Sequence, residues 1–302
     1  MATAQTADPL SGHPGHLDAA QEAALKQFRE ELIAEGLYPT DLDAAIAAVG
    51  YNRYDDQTLL RFLRARKFDI PKAKLMWAEN EKWRKSFGAD DLANKLTHRN
   101  GFDYKEAKEV DKYYPQFYHK TDKDGRPVYI EQLGKLDVNA LYKITTQDRM
   151  LQHLVYEYET FLSQRLPACS KVSGKLVETS CTILDLHNAG ISTFYKVKDY
   201  VSAASSIGQN NYPETMGNMF IINAPYLFST VWSLVKPWLD PATQAKIHIL
   251  GKNYQKELLE YIPAENLPAN LGGKCNCAGG CSLSNAGPWN VVAQEGAVPA
   301  TA

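Results

Sequence analysis

The sequence predicts an α/β protein: a helical N-terminal domain followed by an α/β domain with a largely parallel sheet. Three observations carry this. The first hundred residues hold helix-spaced apolar positions and helix caps but no strand-like run. From Tyr113 onward come five short runs of aromatic and β-branched residues, "YYPQFYHK", "RPVYIEQL", "TSCTILDL", "NMFIINA" and "KIHILG". Helix-patterned stretches separate the later runs, and strand alternating with helix favours parallel pairing.

Residues 1–16 are rich in Gly, Pro, His and small residues and read as a mobile tail. Leu17 to Gly36 is Ala-, Glu- and Leu-rich, with Ala24, Phe28 and Leu32 at helical spacing and Gly36 as a stop. Asp43 to Val49 predicts a short helix. Asp55 and Asp56 can cap a helix through "QTLLRFLRARKF", and Pro71 opens another through Trp77 and Trp83 to Phe87, closed by Gly88. In the second half, helices are predicted over about Thr146–Arg165, Thr193–Ile207 and Pro225–Val235. The expected division is 1–16 tail, 17–100 helical domain, 101–274 α/β domain and 275–302 irregular tail. There is no internal repeat.

Composition sets bounds. Apolar residues make up 44% and charged residues 23%, which fits a globular core and excludes wholesale disorder. The formal net charge of −2 lacks the basic excess of a nucleic-acid binder. The densest basic cluster, Arg61, Arg64, Arg66 and Lys67, divides between helix faces and forms no single patch. No segment approaches the ~20 apolar residues of a membrane span, and the first thirty residues lack the apolar region of a secretory signal. Five cysteines, an odd number, suit a reducing compartment. The expectation is a cytosolic globular protein.

An open α/β sheet raises the question of nucleotides and hydrolysis, and the short motifs answer against both. The sequence has no G-x-G-x-x-G, no G-x-x-x-x-G-K-[ST], no G-x-S-x-G and no H-E-x-x-H. Cys275, Cys277 and Cys281 form C-x-C-x₃-C, but a structural zinc site takes four ligands. The nearest histidine in sequence, His248, lies inside a predicted strand. No metal is expected there, and the segment reads as a loop with three free thiols.

Three patterns point to a pocket. On helix 57–68, Leu59, Phe62 and Leu63 form an apolar stripe that continues to Arg66, while Leu60 and Leu63 continue to Lys67. Two readings stand: long stems snorkelling along apolar surface, or an anion site at a cavity mouth. Period-two alternation places Tyr114, Gln116 and Tyr118 on one face, and Ser180 and Thr182 together ahead of Leu184 and Leu186. Those hydroxyls suit either local hydrogen bonding or a pocket polar at one end. Pro225 to Leu239 is apolar nearly all round, with Ser229, Ser233 and Lys236 as its narrow polar stripe. Such a helix is buried or faces lipid.

These and further blocks, "TLLRFLRARKFDIPKAK", "YPQFYHKTDKDGRPVYIEQLG", "RLPACS", "LVETSCTILDL", "MFIINAPYLFSTVW", "KPWLDPATQAKIHILG" and "IPAENLPANLGGK", resemble the CRAL-TRIO lipid-binding family. Within it they are most similar to the fungal phosphatidylinositol/phosphatidylcholine transfer proteins, from about Leu17 to Trp289. The resemblance implies a sheet flooring a hydrophobic pocket that holds one phospholipid, gated by the helix after Pro225 (Tyr226, Leu227, Phe228, Val231, Trp232, Leu234, Val235). It implies a phosphatidylinositol headgroup site at Arg66, Lys67, Glu214, Thr243 and Lys246. It implies a phosphatidylcholine headgroup site at Tyr114, Gln116, Tyr118, Tyr129, Ser180 and Thr182. It further implies a monomer that visits Golgi or endosomal membranes transiently, with a phosphatidylinositol kinase as a conceivable partner. The departures from the family pattern are "YPTDLDAAIAAVGYNR" and the Cys-bearing loop 275–281.

Such a carrier has a physical logic. Each buried methylene is worth ~0.8 kcal/mol, so moving a two-chain lipid into water costs on the order of 20 kcal/mol, which an apolar cavity must offset. A buried phosphate needs charged or hydroxyl donors. The competing class is a hydrolase acting on bound lipid. It needs a nucleophile with a general base in reach, and Ser180, the best nucleophile, has no assignable His. A retinoid or tocopherol carrier would not need the basic and hydroxyl set.

Overall fold

The computed structural model describes residues 8, 10–94, 102–239 and 241–290. The chain divides into two compact units, Met1–Phe102 with Asn210–Glu214, and Asp103–Gln209 with Thr215–Ala302.

The first unit is helical. Helix α1 (Ala19–Ala34) starts at a capping box in which Asp18 accepts from the Gln21 backbone and Gln21 reaches back. Asp41 caps α2 (Leu42–Val49) and Asp55 caps α3 (Asp56–Ala65). Helix α4 (Ile70–Phe87) begins with Asp69 and Pro71 and stops at Gly88, whose φ of +77° glycine adopts without a Cβ clash. A short α5 (Ala89–Asn94) follows. The core gathers Phe28, Leu32, Leu59, Leu60, Leu63 and Trp77, all buried. Phe62 and Phe28 meet the Trp77 ring edge-on at 4.9 and 6.3 Å, while the indole N–H donates to the Leu37 carbonyl at 2.9 Å.

Of the expected mobile tail, residues 10–16 instead form hydrogen-bonded turns, and Arg64 donates to the Gly12 carbonyl at 3.0 Å. The two glycines there (Gly12, Gly15) supply left-handed turns rather than looseness. Residues 1–7 and 9 lie outside the described residues, as does the expected boundary at 100/101.

The second unit opens with α6 (Ala107–Tyr113) and builds a five-stranded sheet in the order β1 (Gln116–Thr121), β2 (Pro127–Glu131), β3 (Ser180–Asp185), β4 (Met216–Ile222), β5 (Ile247–Ile249). All five predicted strands are present. β1 and β2 are antiparallel and every other neighbour is parallel. The β1–β2 turn is held by the Asp122 carboxylate, which accepts from the backbones of Asp124 and Arg126.

After β2 come a short α7 (Val138–Leu141) and α8 (Gln147–Thr160), which runs through one π turn (Phe161–Arg165) into α9 (Leu166–Ser173). Helix α10 (Ile191–Asn211) connects β3 to β4, and α11 (Phe228–Val235) and α12 (Pro241–Ala245) precede β5. One sheet face presents Val128, Ile130, Cys181, Ile183, Phe220 and Ile222 to α13 (Gln255–Tyr261) and to Ile262, Leu267 and Leu271, all tightly buried.

The expected irregular tail has more structure than its composition suggests. Residues 281–284 form α14 and Trp289 is buried against Tyr118, Phe161 and Leu166. The Lys120 N–H also donates to the Ala286 carbonyl at 2.6 Å, tying the segment to β1. Residues 291–302 lie outside the described residues.

Candidate functional site: a tyrosine- and hydroxyl-bearing sheet face

The period-two pleat that sends Ile130 and Ile183 into the packed core sends Gln116, Tyr118, Tyr129, Glu131, Ser180, Thr182 and Leu184 to the opposite face. Register brings them side by side. Gln116 lies opposite Glu131 and Tyr118 opposite Tyr129 across the antiparallel pair, and Tyr129 is beside Thr182 across the parallel one. The Tyr118 and Tyr129 rings are 5.0 Å apart, and the Ser180 and Thr182 hydroxyls 3.4 Å apart. The six expected phosphatidylcholine-site residues thus converge, with Tyr114 reaching in from the end of α6.

Two residues outside the expected set complete this face. Tyr114 donates to the half-buried Glu131 carboxylate, and Tyr200 of α10 lies 6.3 Å from Tyr114, ring to ring. Burial raises the Glu131 carboxyl above the usual glutamate range, and hydrogen bonds from Tyr114 and Gln116 only partly offset it. Burial, with the Glu131 charge next, pushes Tyr114 and Tyr129 well above the usual phenol range. Neutral phenols are the form that donates to an anion. Glu131 was legible: alternation puts it with Tyr129, and a carboxylate closing an apolar strand is a signal. Tyr200, from a distant helix, was not.

At the same end of the sheet sit Thr243 and Lys246. The Lys246 backbone N–H donates to the Thr243 carbonyl at 3.1 Å, and Lys246 Nζ donates to the Met216 carbonyl, also at 3.1 Å. Met216 is the register neighbour of Ser180, so Lys246 and the two hydroxyls mark the starting ends of β5 and β3. Lys246 itself falls in the turn just before β5.

Arg66, Lys67 and Glu214 belong to the first unit. The sequence continued the α3 stripe into Arg66 and Lys67, and this is corrected: the helix stops at Ala65. Phe68 N–H bonds Leu63 O at 2.8 Å and Lys67 N–H bonds Arg64 O at 3.0 Å, the Schellman pattern. Lys67 stands at the left-handed position with φ +52°, usually a glycine's place, which is why no sequence signal announced the stop. Lys67 is exposed and Arg66 half-buried. Arg61, left out of the expected set, is 4% exposed and donates through Nη1 to the Glu214 carbonyl at 2.6 Å. Glu214 also has a positive φ, +57°.

Helix α11 turns Phe228, Val231, Trp232 and Val235 inward at i, i+3, i+4 and i+7. The helix starts at Phe228 rather than at the expected Pro225: Tyr226 (96% exposed) and Leu227 (56%) form the turn before it, and its outward side carries Ser229, Thr230 and Ser233 beside Leu234 (44%). Its approach is pinned by Asn223, whose side chain donates to Asp185 at 2.8 Å.

The cysteines of the 275–281 loop are free thiols, and His119 of β1 lies beside them, its Nε2 3.3 Å from Cys275 Sγ. The sequence distance between them hid that proximity.

A largely parallel sheet with one sealed face and one face of tyrosines, hydroxyls and aliphatics, beside a helix led by an exposed apolar turn, has the polarity that an amphipathic ligand requires. Comparison with known proteins agrees on the family. The CRAL/TRIO domain matches residues 111–273 and the CRAL/TRIO N-terminal domain residues 24–79, so the chain belongs to the CRAL/TRIO family. It is 54% identical over 280 residues to the Sec14 cytosolic factor of Schizosaccharomyces pombe, covering 92% of this chain and 91% of that protein. It is 54% identical over 297 residues to the SEC14 cytosolic factor of Kluyveromyces lactis, covering 96% and 92%. To the phosphatidylinositol/phosphatidylcholine transfer protein SFH12 of Arabidopsis thaliana it is 45% identical over 275 residues, covering 90% of this chain and 48% of that one. The crystal structure of Sfh5 superposes with a TM-score of 0.63 at 14% identity, covering 92% of this chain and 97% of that one, which bears on the fold alone.

Proposed function

We propose that this chain is a non-enzymatic carrier that binds one phosphatidylinositol or phosphatidylcholine in an internal pocket and exchanges it between membranes. The observation that carries this is the second sheet face: hydroxyls, tyrosines and Lys246 at one end, aliphatic residues such as Leu184 along it. An amphipathic lipid needs that polarity gradient. Tyr114, Gln116, Tyr118, Tyr129, Ser180 and Thr182 serve the phosphocholine group. Arg66, Lys67, Glu214, Thr243 and Lys246 serve the inositol phosphate, with Arg61 holding the Glu214 backbone. The turn at Tyr226 and Leu227 together with the helix carrying Phe228, Val231, Trp232, Leu234 and Val235 is the gate, and its outward side chains meet the bilayer when it opens. No helix among the described residues is long and apolar enough to cross a membrane, which suits a peripheral visitor. The protein works as a monomer at Golgi or endosomal membranes, with presentation of phosphatidylinositol to a kinase as an extension of transport. The expected division at 100/101 separates the helical domain from the lipid-binding one.

A lipid hydrolase is disfavoured by the surroundings of Ser180. Its hydroxyl neighbours are Thr182 Oγ1 at 3.4 Å and the Thr215 carbonyl at 3.5 Å, neither a general base. Native mass spectrometry of protein purified from a membrane-containing source tests the proposal. One bound phosphatidylinositol or phosphatidylcholine per chain is expected; protein purified empty that moves neither lipid between vesicles would overturn it.

A further inference from the structure

The three thiols that lipid carriage leaves unused converge on a histidine from more than 150 positions away in sequence. One ring nitrogen of His119 and the Sγ atoms of Cys275, Cys277 and Cys281 all lie within 4.8 Å of one another. His119 Nε2 is 3.3 Å from Cys275 Sγ, and Cys275 Sγ is 3.7 Å from Cys277 Sγ. Around a tetrahedral zinc with bonds of about 2.3 Å to sulfur and 2.0 Å to nitrogen, S···S edges are about 3.8 Å and S···N edges about 3.5 Å. Those two spacings are already near the loaded geometry.

The surroundings aim the donors. Ser284 Oγ lies 2.9 Å from the Cys281 carbonyl and 3.2 Å from His119 Nδ1. With the imidazole proton on Nδ1 and donated to that hydroxyl, the Nε2 lone pair faces the thiols, the outer-shell arrangement of metal-ligating histidines. His119 is fully buried. Cys275 is fixed by its N–H to the Leu267 carbonyl (3.0 Å) and its carbonyl to the Ala269 N–H (2.9 Å). Cys277 and Cys281 are joined through Gly279 and Gly280, at φ +78° and +96°, where only glycine turns the chain without strain.

We propose that His119, Cys275, Cys277 and Cys281 form a structural zinc site that clamps the C-terminal segment to β1, the edge strand of the sheet. Four protein donors complete a tetrahedron and leave no open position for catalysis, and three thiolates favour zinc over the hard cations magnesium, calcium and manganese. The clamp lies on the opposite side of β1 from Tyr118, which the same segment covers with Trp289, ring centroids 6.2 Å apart.

Metal analysis of untagged protein purified without chelators tests this, with cobalt substitution as a spectroscopic readout. The expected result is one zinc per chain, resistant to a weak chelator, and a cobalt form with the visible bands of tetrahedral coordination and thiolate charge transfer. Cys277→Ser, at a half-buried position, should bind zinc at least tenfold more weakly. Ser284→Ala, which removes the histidine's orienting partner and its bond to the Cys281 carbonyl but no donor, should cost about tenfold. Strong chelation should raise hydrogen exchange across residues 275–290. Zinc that a weak chelator strips from wild type and Cys277→Ser alike, an octahedral cobalt spectrum, or a Cys275–Cys277 disulfide in protein purified under reduction would each overturn the site.

Discussion

The two faces of one sheet share strands, hydrogen bonds and twist, and differ in what covers them. One face is sealed: Ile130, Ile183, Phe220 and Ile222 are fully buried beneath α13 and the segment after it. The other carries Gln116, Tyr129, Ser180 and Leu184, all half-buried, beside the deeper Tyr118 and Thr182. The first has a centre made of apolar side chains, whose truncation leaves a cavity. The second mixes hydroxyls, phenols and a carboxylate into strands whose intrinsic preference is apolar. Folding needs the first face; the second departs from the best core composition, as the proposed role of holding a lipid requires.

The largest effect should come from damaging the sealed face. Ile183→Ala should lower unfolding free energy by about 2–5 kcal/mol in denaturant titration while leaving the balance between the two lipids unchanged. A loss of stability like that of a surface substitution would break the distinction between the faces.

The open face should answer in the opposite currency. Lys246→Ala removes a charge-assisted contact, typically ~1.5–3 kcal/mol, or about tenfold to hundredfold in phosphatidylinositol affinity. Phosphatidylcholine transfer should fall far less. Replacing Ser180 and Thr182 together by Ala should reverse that imbalance. Equal losses of both lipids in both variants, read in paired vesicle transfer assays, would mean one shared headgroup site. Since Lys246 and Ser180 both neighbour Met216, this experiment measures how separate the two donor sets are.

The gate sharpens the comparison outside the sheet. Tyr226→Ser with Leu227→Ser should change stability by no more than about 0.5 kcal/mol, since both side chains are exposed. Vesicle association should nonetheless drop at least several-fold, because each large side chain buried in lipid is worth ~1.5–3 kcal/mol. Hydrogen exchange over 226–239 should rise on liposome binding; unchanged protection during active transfer would remove the gate.

The smallest effect lies off both faces. The Arg149 guanidinium, hydrogen-bonded to Glu106, holds that carboxyl at about 2. The unfolded chain binds the proton first, so this contribution is complete above the ordinary glutamate pKa and is lost as pH falls toward about 2. Glu106→Gln should lower stability modestly at neutral pH, by the lost ion pair, and flatten the acid limb, so that variant and wild type converge as pH falls toward about 2. An acid limb identical to wild type would show that the pair contributes nothing.

What the sequence determined by itself was whatever depends on local order. Period-two runs fixed all five strands, and caps and stops such as Asp55, Asp69, Pro71 and Gly88 fixed the helices they bound. Pleat alternation alone placed Gln116 with Tyr118 and Ser180 with Thr182, because side-chain direction in a strand follows from the backbone. The tertiary structure decided what depends on chain segments meeting. It ended α3 at Ala65 through a left-handed Lys67 that has no sequence mark. It brought Arg61 to Glu214 and Tyr200 to Tyr114, docked Trp289 on Tyr118, and delivered His119 to the three cysteines. Local patterns read one segment at a time. A ligand shell is a property of distances between segments, and those are set only when the whole core packs.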